Sequence, residues 1–304
     1  MLAAAAALCL APSFLERGTL NDVWNVALAV VLASAWNLLG GFAGQVSLGY
    51  SVFLGIGAYT TVLLALSGVS PVLTLPAGAL LAAAASVVIG LPTFRLRGPY
   101  FTIATIGVGE AVRVVASGVS FTGGASGLRM PAGSFDFESN FREMTLLAVA
   151  VVWIALVVSR SAFGSALAAV KQDIDAAEAL GVNSTRLKVT VHALSAALVG
   201  LAGGLFAINF QYVSPGSVFD FRLSLTIVLM PIVGGVGTVA GPVLGAALFG
   251  WLQVKLLSTP ALLDSSLFIY GALLIAVMLF EPKGLLGLVR RLLARRLRRF
   301  YADA

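Results

Sequence analysis

The chain has 304 residues, 59% hydrophobic and 11% charged, with a mean hydropathy of +1.01. Such a composition excludes a soluble globular protein, and apolar runs far longer than the roughly 10-residue alternation of barrel strands define an all-α polytopic integral membrane protein. Its 19 Lys and Arg give a net charge of +6 but border hydrophobic spans instead of gathering on a soluble surface, so no nucleic acid is expected.

Cys9 is the single cysteine, which excludes an internal disulfide and a cysteine-rich metal site. Residues 1–12 are apolar but short, without a basic leader region or a clear cleavage site, and read as an incomplete or tilted first span. The next candidate spans are 20–39, 46–66, 72–91, 100–117 and 144–158, then 189–210, 223–236, 239–257 and 267–280. This predicts about ten crossings in one domain covering 1–304.

The first span leads into Asn37 and a stretch with six glycines between Gly40 and Gly57. Gly234 to Gly250 holds six more, with Gly237, Gly241 and Gly245 four apart, as are Gly200 and Gly204. Glycine weakens a continuous helix and permits close backbone approach. Interrupted helices in a membrane are tolerated where they face protein or a water-filled path, so both stretches are read equally as tight packing and as broken or re-entrant segments along a translocation route. Gln45, Ser47, Tyr50 and Tyr59 add hydrogen-bonding groups beside the first; with Asn37 they are the path candidates.

Glu110 and Arg113 lie inside a span, three residues apart, and can pair on one helix face. Intramembrane charges are costly, so the pair reads as a structural ion pair toward the outer end of its span or as the protonatable group of an ion-coupled carrier. His192 reads as an interfacial residue and not as a metal ligand.

The central polar stretch, 159–188, has helical periodicity. Phe163, Leu167, Val170, Ile174 and Ala177 fall on one face, and Lys171, Gln172, Asp173, Asp175 and Glu178 on others. Gly181 suits a helix stop, and Asn183-Ser184-Thr185 can cap the next helix. A short amphipathic helix, a turn and re-entry into the membrane follow.

The charges orient this threading. Arg95, Arg97, Arg160, Lys171, Arg186 and Lys188 fall on one side with the basic tail at 283–304, which holds Lys283 and Arg290, Arg291, Arg295, Arg296, Arg298 and Arg299. Arg17, Arg129, Arg142, Arg222 and Lys255 fall on the other. The richer side, with the central loop and the C-terminus, is expected to be cytoplasmic.

No Gly-x-x-x-x-Gly-Lys-Ser/Thr phosphate loop is present, and no nucleophile, base and acid form a recognisable arrangement. The chain reads as a transporter, not an enzyme, with energy drawn from another subunit or from an ion gradient.

Asn37-Leu-Leu-Gly-Gly-Phe-Ala-Gly-Gln-Val-Ser-Leu-Gly49 and Phe53-Leu-Gly-Ile-Gly-Ala-Tyr-Thr60 resemble the LivM-type permease of branched-chain amino acid ABC importers. Further matches are Arg97-Gly-Pro-Tyr-Phe-Thr-Ile-Ala-Thr105, Thr122-Gly-Gly-Ala-Ser-Gly-Leu128, Gly234-Gly-Val-Gly-Thr-Val-Ala-Gly-Pro-Val-Leu-Gly-Ala246 and Phe280-Glu-Pro-Lys-Gly-Leu285, in family order. Asp175-Ala176-Ala177 followed by Gly181 is similar to the Glu-Ala-Ala-x-x-x-Gly loop of importer permeases, with Asp replacing Glu. Tyr50 and Ser165 depart from the family's frequent His and basic residue. The resemblance implies a coupling helix at 159–188 docking on an ATPase, with Phe163, Leu167, Val170, Ile174, Asp175, Ala176, Ala177 and Gly181 as its coupling residues. It also implies a second homologous permease, two cytoplasmic ATPases that carry ATP and Mg, and an external binding protein. No cofactor is expected on this chain, which sits among the lipids of a bacterial inner membrane. Urea or a short amide is the alternative cargo.

Overall fold

The computed structural model describes residues 17–131 and 136–257, with the positions 268, 271, 272, 275, 279, 284–288 and 291. The expected span at 1–12, most of that at 267–280, Cys9 and most of the basic tail lie outside the described residues. The other eight expected spans each hold a helix, with 46–49, 235–236 and 239 outside it.

The first helix, α1 (Arg17–Asn37), runs into a π-helical turn at Leu38–Phe42 and then into seven non-helical residues. α2 (Tyr50–Leu66) follows, then α3 (Pro71–Thr93), α4 (Pro99–Gly118) and α5 (Phe137–Arg160). Two short helices, α6 (Ala162–Gln172) and α7 (Ile174–Ala179), precede the long α8 (Ser184–Phe210). The single turn α9 (Pro215–Val218), α10 (Phe221–Gly234) and α11 (Ala240–Leu257) complete the described bundle. The only strands among the described residues are two residues each, β1 (Leu128–Arg129) and β2 (Tyr212–Val213), paired antiparallel. Six of the described helical stretches are long and apolar enough to cross a membrane. α2 falls short at 17 residues because the glycine-rich break takes the beginning of the expected span at 46–66.

Two packed groups make the interior. α8 lies against α2 and α3, and α1 lies against α5, α10 and α11, with α1 also touching α8. Backbone proximity holds the first group. A Cβ on Gly57 would sit 2.0 Å from the carbonyl oxygen of Gly200, and one on Gly203 would sit 2.0 Å from that of Leu54. Lipid tails are as apolar as leucine, so close packing of small residues takes over the role that hydrophobic burial has in water. The glycine run after Gly234 departs from its expected single face: Gly237 precedes α11 at φ +77°, while Gly241 and Gly245 meet the carbonyls of Gly235 and Met230.

Buried polar side chains fix the register between helices. Trp24 Nε1 donates to Asn140 Oδ1 at 2.7 Å, and Asn140 Nδ2 donates to the Leu205 carbonyl at 3.1 Å, joining α1, α5 and α8. Such bonds average about 0.6 kcal/mol inside membranes, so they select an alignment more than they supply stability. His192 is buried, its ring edge-on to Phe53 and Phe94. α3 and α8 close over it where Gly90 leaves room.

Candidate functional site

The central loop forms two helices, not the expected single one. α6 begins at Ser161, whose hydroxyl accepts from Gly164 N at 3.1 Å, and it ends at Asp173, which is extended (φ −155°, ψ 116°). Asp173 Oδ1 accepts from Asp175 N at 2.9 Å and Ala176 N at 3.0 Å, so the carboxylate starts a second helix instead of continuing the first. α7 stops at Leu180 and Gly181, whose φ of +85° strains any residue with a Cβ. Asn183 Oδ1 then accepts from Arg186 N at 2.8 Å and begins α8.

The apolar face of this loop is turned inward. Leu167, Val170 and Ala177 are buried and Phe163 and Ile174 half-buried within this chain. Within the chain their neighbours are its own helices. Asp175, Ala176, Glu178 and Ala179 stay exposed, and Leu180 is 84% exposed. A large apolar side chain held open beside a rigid turn was not anticipated from periodicity, which assigns it no face.

Two side chains tie the loop to the bundle. Arg97, between α3 and α4, donates from Nη2 to Asp175 Oδ1 at 2.9 Å and from Nη1 to Oδ2 at 3.2 Å. Hydrogen bonding to that carboxylate raises the Arg97 pKa further above its usual value. Lys171 of α6 reaches inward and donates from Nζ to the Gly41 carbonyl at 2.7 Å. Charge asymmetry, helical faces and the motif beginning at Arg97 give neither Arg97 nor Lys171 these partners.

Gly41 belongs to the first interruption, and the second lies directly against it. Asn37 Nδ2 donates to the Thr238 carbonyl at 2.9 Å, while Asn37 Oδ1 accepts from Gly237 N at 2.8 Å. One amide thus clamps the two breaks together, and a Cβ on Gly41 would come within 2.8 Å of Gly237 N. Lys171, Gly41, Asn37 and Gly237 form a continuous connection from the loop into both interrupted spans.

The non-helical residues 43–49 lie along α4. Thr102 Oγ1 donates to the Val46 carbonyl at 2.7 Å, and Leu48 N donates to Thr105 Oγ1 at 3.0 Å. Two cavities occur in succession along this contact. One of about 440 Å³ is bordered by Gln45, Val46, Thr102 and Ile103; the next, about 250 Å³, by Ser51, Ile106, Glu110, Phe219 and Phe221. Arg113 Nε donates to Glu110 Oε2 at 2.9 Å, and its Nη2 pairs with Oε1.

The path candidates separate on this map. Gln45 borders the first cavity. Asn37 and Ser47 are buried in protein contacts, the Ser47 carbonyl accepting from Trp36 Nε1 at 2.9 Å. Tyr50 is buried with its hydroxyl 2.8 Å from Ser195 Oγ, which donates to the Ala35 carbonyl at 2.5 Å. Tyr59 stacks on Phe219, and its buried hydroxyl has no partner among the described residues. Among the described residues, no three His, Cys, Asp or Glu converge as metal ligands would.

A loop tied to two interrupted apolar segments, in a chain with six helical stretches long and apolar enough to cross a membrane, is the architecture of a multi-pass membrane protein. Residues 19–278 match the family described as branched-chain amino acid transport system / permease component, and the chain belongs to that family. It is 33% identical over 311 residues to LivM of Escherichia coli strain K12, a high-affinity branched-chain amino acid transport system permease protein, covering 92% of this chain and 72% of the relative. It is also 29% identical to BraD of Pseudomonas aeruginosa, a permease protein of such a system, over 44% of this chain and 43% of that one. LsrC of Yersinia pestis, an autoinducer 2 import system permease protein, is 27% identical over 52% of this chain and 46% of its own length. No solved structure matches. The chain is therefore a transport subunit of the ABC permease class and not an enzyme.

Proposed function

We propose that the chain moves branched-chain or related amino acids into a bacterial cytoplasm as one of two permease subunits of an ABC importer. Two cytoplasmic ATPases, carrying ATP and Mg, supply the energy, and an external binding protein delivers the cargo. The chain crosses the inner membrane about ten times with loop and C-terminus cytoplasmic. Paired ends support that topology: Arg97 lies beside Asp175, and β1 beside β2 at the opposite end, with the richer positive charge on the loop side.

The connection from Lys171 to Gly41 carries the mechanistic reading. The ATPase presses on the exposed side of α7, formed by Asp175, Ala176, Glu178 and Leu180 with the turn at Gly181. Leu167, Val170 and Ala177, with Phe163 and Ile174, seat the loop on its own core, so displacement of α7 passes through α6 and Lys171 to both breaks. The movement alters the cavities beside α4, which gives alternating access.

Reconstitution with the partner subunits tests this directly. Leucine uptake should require ATP and binding protein and persist with an uncoupler; uptake abolished by the uncoupler with ATP present would establish the ion-coupled alternative. Uptake of urea but not leucine would reassign the cargo.

A further inference from the structure

We infer that Glu110, Arg113 and the neighbouring 250 Å³ cavity form a transient binding site for a zwitterionic α-amino acid with a small apolar side chain. The inference rests on the import reading above and assigns the residues that its cargo touches midway.

Depth and exposure come first. Glu110 lies eleven residues into α4, about 17 Å along its axis at 1.5 Å per residue, in the outer half of a helix long enough to span the hydrocarbon region. Yet the Arg113 and Glu110 side chains are 38% and 50% exposed in this chain. Intramembrane charges face a bundle interior or a water-filled path, so this face of α4 is turned away from lipid. The cavity beside it continues the line of the larger one near Gln45, along the interrupted segment 43–49.

The unused bonding capacity selects the ligand. A carboxylate offers about four acceptor sites, and Arg113 occupies two on Glu110; the guanidinium has five donors and uses two there. Glu110 borders the cavity and Arg113 adjoins it through the pair, so an ammonium can join Glu110 while a carboxylate reaches Arg113 without breaking the pair. The pair is neutral by itself, and the carboxylate of Asp220, which also acts on Arg113, adds negative charge nearby, so a ligand that brings an ammonium with its carboxylate suits the site better than a free anion. Ile106, Phe219 and Phe221 give the apolar wall for the side chain. The cavity's volume of about 250 Å³ leaves room for a small apolar side chain.

The test uses the full complex in proteoliposomes, with a diazirine-bearing leucine delivered by the binding protein, turnover arrested with vanadate, irradiation, and peptide mass spectrometry. The wild type should carry label on peptides containing Ile106 and Phe219 or Phe221. Glu110→Gln should reduce that label at least about tenfold, as loss of a charge-assisted contact requires, and Glu110→Asp should restore most of it. Gly109→Leu is the second variant, because a Cβ there meets nothing closer than 3.9 Å and the longer side chain extends into the cavity. It should keep its folded yield and lose the label. Leucine uptake with label only elsewhere, or label unchanged in both Glu110→Gln and Gly109→Leu, would overturn the site while leaving the import function intact. A wild-type complex that takes up no amino acid would overturn both.

Discussion

α8 and α4 are both apolar helices of spanning length, yet 72% of one spanning window is buried and only 22% of the other. Apolarity cannot account for the difference, because lipid gives no hydrophobic drive between helices. α8 presents Gly200, Gly203 and Gly204 to the backbone or side chains of α2 and α3, whereas Gly107 on α4 meets nothing within 4 Å. α4 instead carries its ion pair and exposes Ile103 and Val114. In this bundle small residues decide which span is central, while α4 keeps an open face that carries its ion pair.

The largest effect should come from placing equal side chains on the two helices. Gly203→Leu drives a Cβ into the Leu54 backbone, which cannot rotate aside, so folded yield in gel filtration should fall at least about tenfold. Gly107→Leu should fold at wild-type yield. Equal losses would remove close packing as the reason for the contrast.

Next is the connection from the loop into the packed half. Lys171→Met removes the bond to Gly41, and substrate-stimulated ATP hydrolysis in the assembled complex should fall about tenfold, with Lys171→Arg retaining most of it. Wild-type stimulation in Lys171→Met would disconnect the loop from the breaks.

A smaller loss is expected on the outer side of α7, where Leu180→Glu should lower the same stimulation about threefold to fivefold without changing folded yield. Ala177→Asp should instead reduce yield, since it puts an unpaired charge into a buried contact, and Gln172→Asp should be mild. If Ala177→Asp folds normally and only Leu180→Glu is silent, the two faces of the loop have been exchanged. Arg97→Gln should change uptake least, within about twofold and mainly at low salt, because the pair with Asp175 is 68% and 70% exposed.

The helical class and the helices within eight of the expected spans, six of them in stretches long and apolar enough to cross a membrane, were readable because helix length and apolar content are local properties. The ends of the central loop were also readable: Gly181 takes positive φ, and Asn183 caps α8. The break at Asp173 was not, since a carboxylate suits both an exposed helix face and a helix start, and periodicity continues through either. For the same reason the apolar face of 159–188 could be recognised but its partner could not. Arg97 and Asp175 are 78 residues apart, and Lys171 and Gly41 are 130 apart. Neither pairing leaves a periodic trace.

By itself the sequence determined a polytopic helical membrane protein, the two glycine-rich interruptions, the charge asymmetry and the family resemblance, because composition, helix-breaking residues and contiguous motifs need no folded neighbour to be recognised. Only the tertiary structure decided that Asn37 joins the two interruptions, that Lys171 reaches them from the loop, that Leu180 and not Ala177 stays open, and that Glu110 borders a cavity. Each depends on which helices approach one another, and that approach is governed by contacts between backbones far apart in the chain.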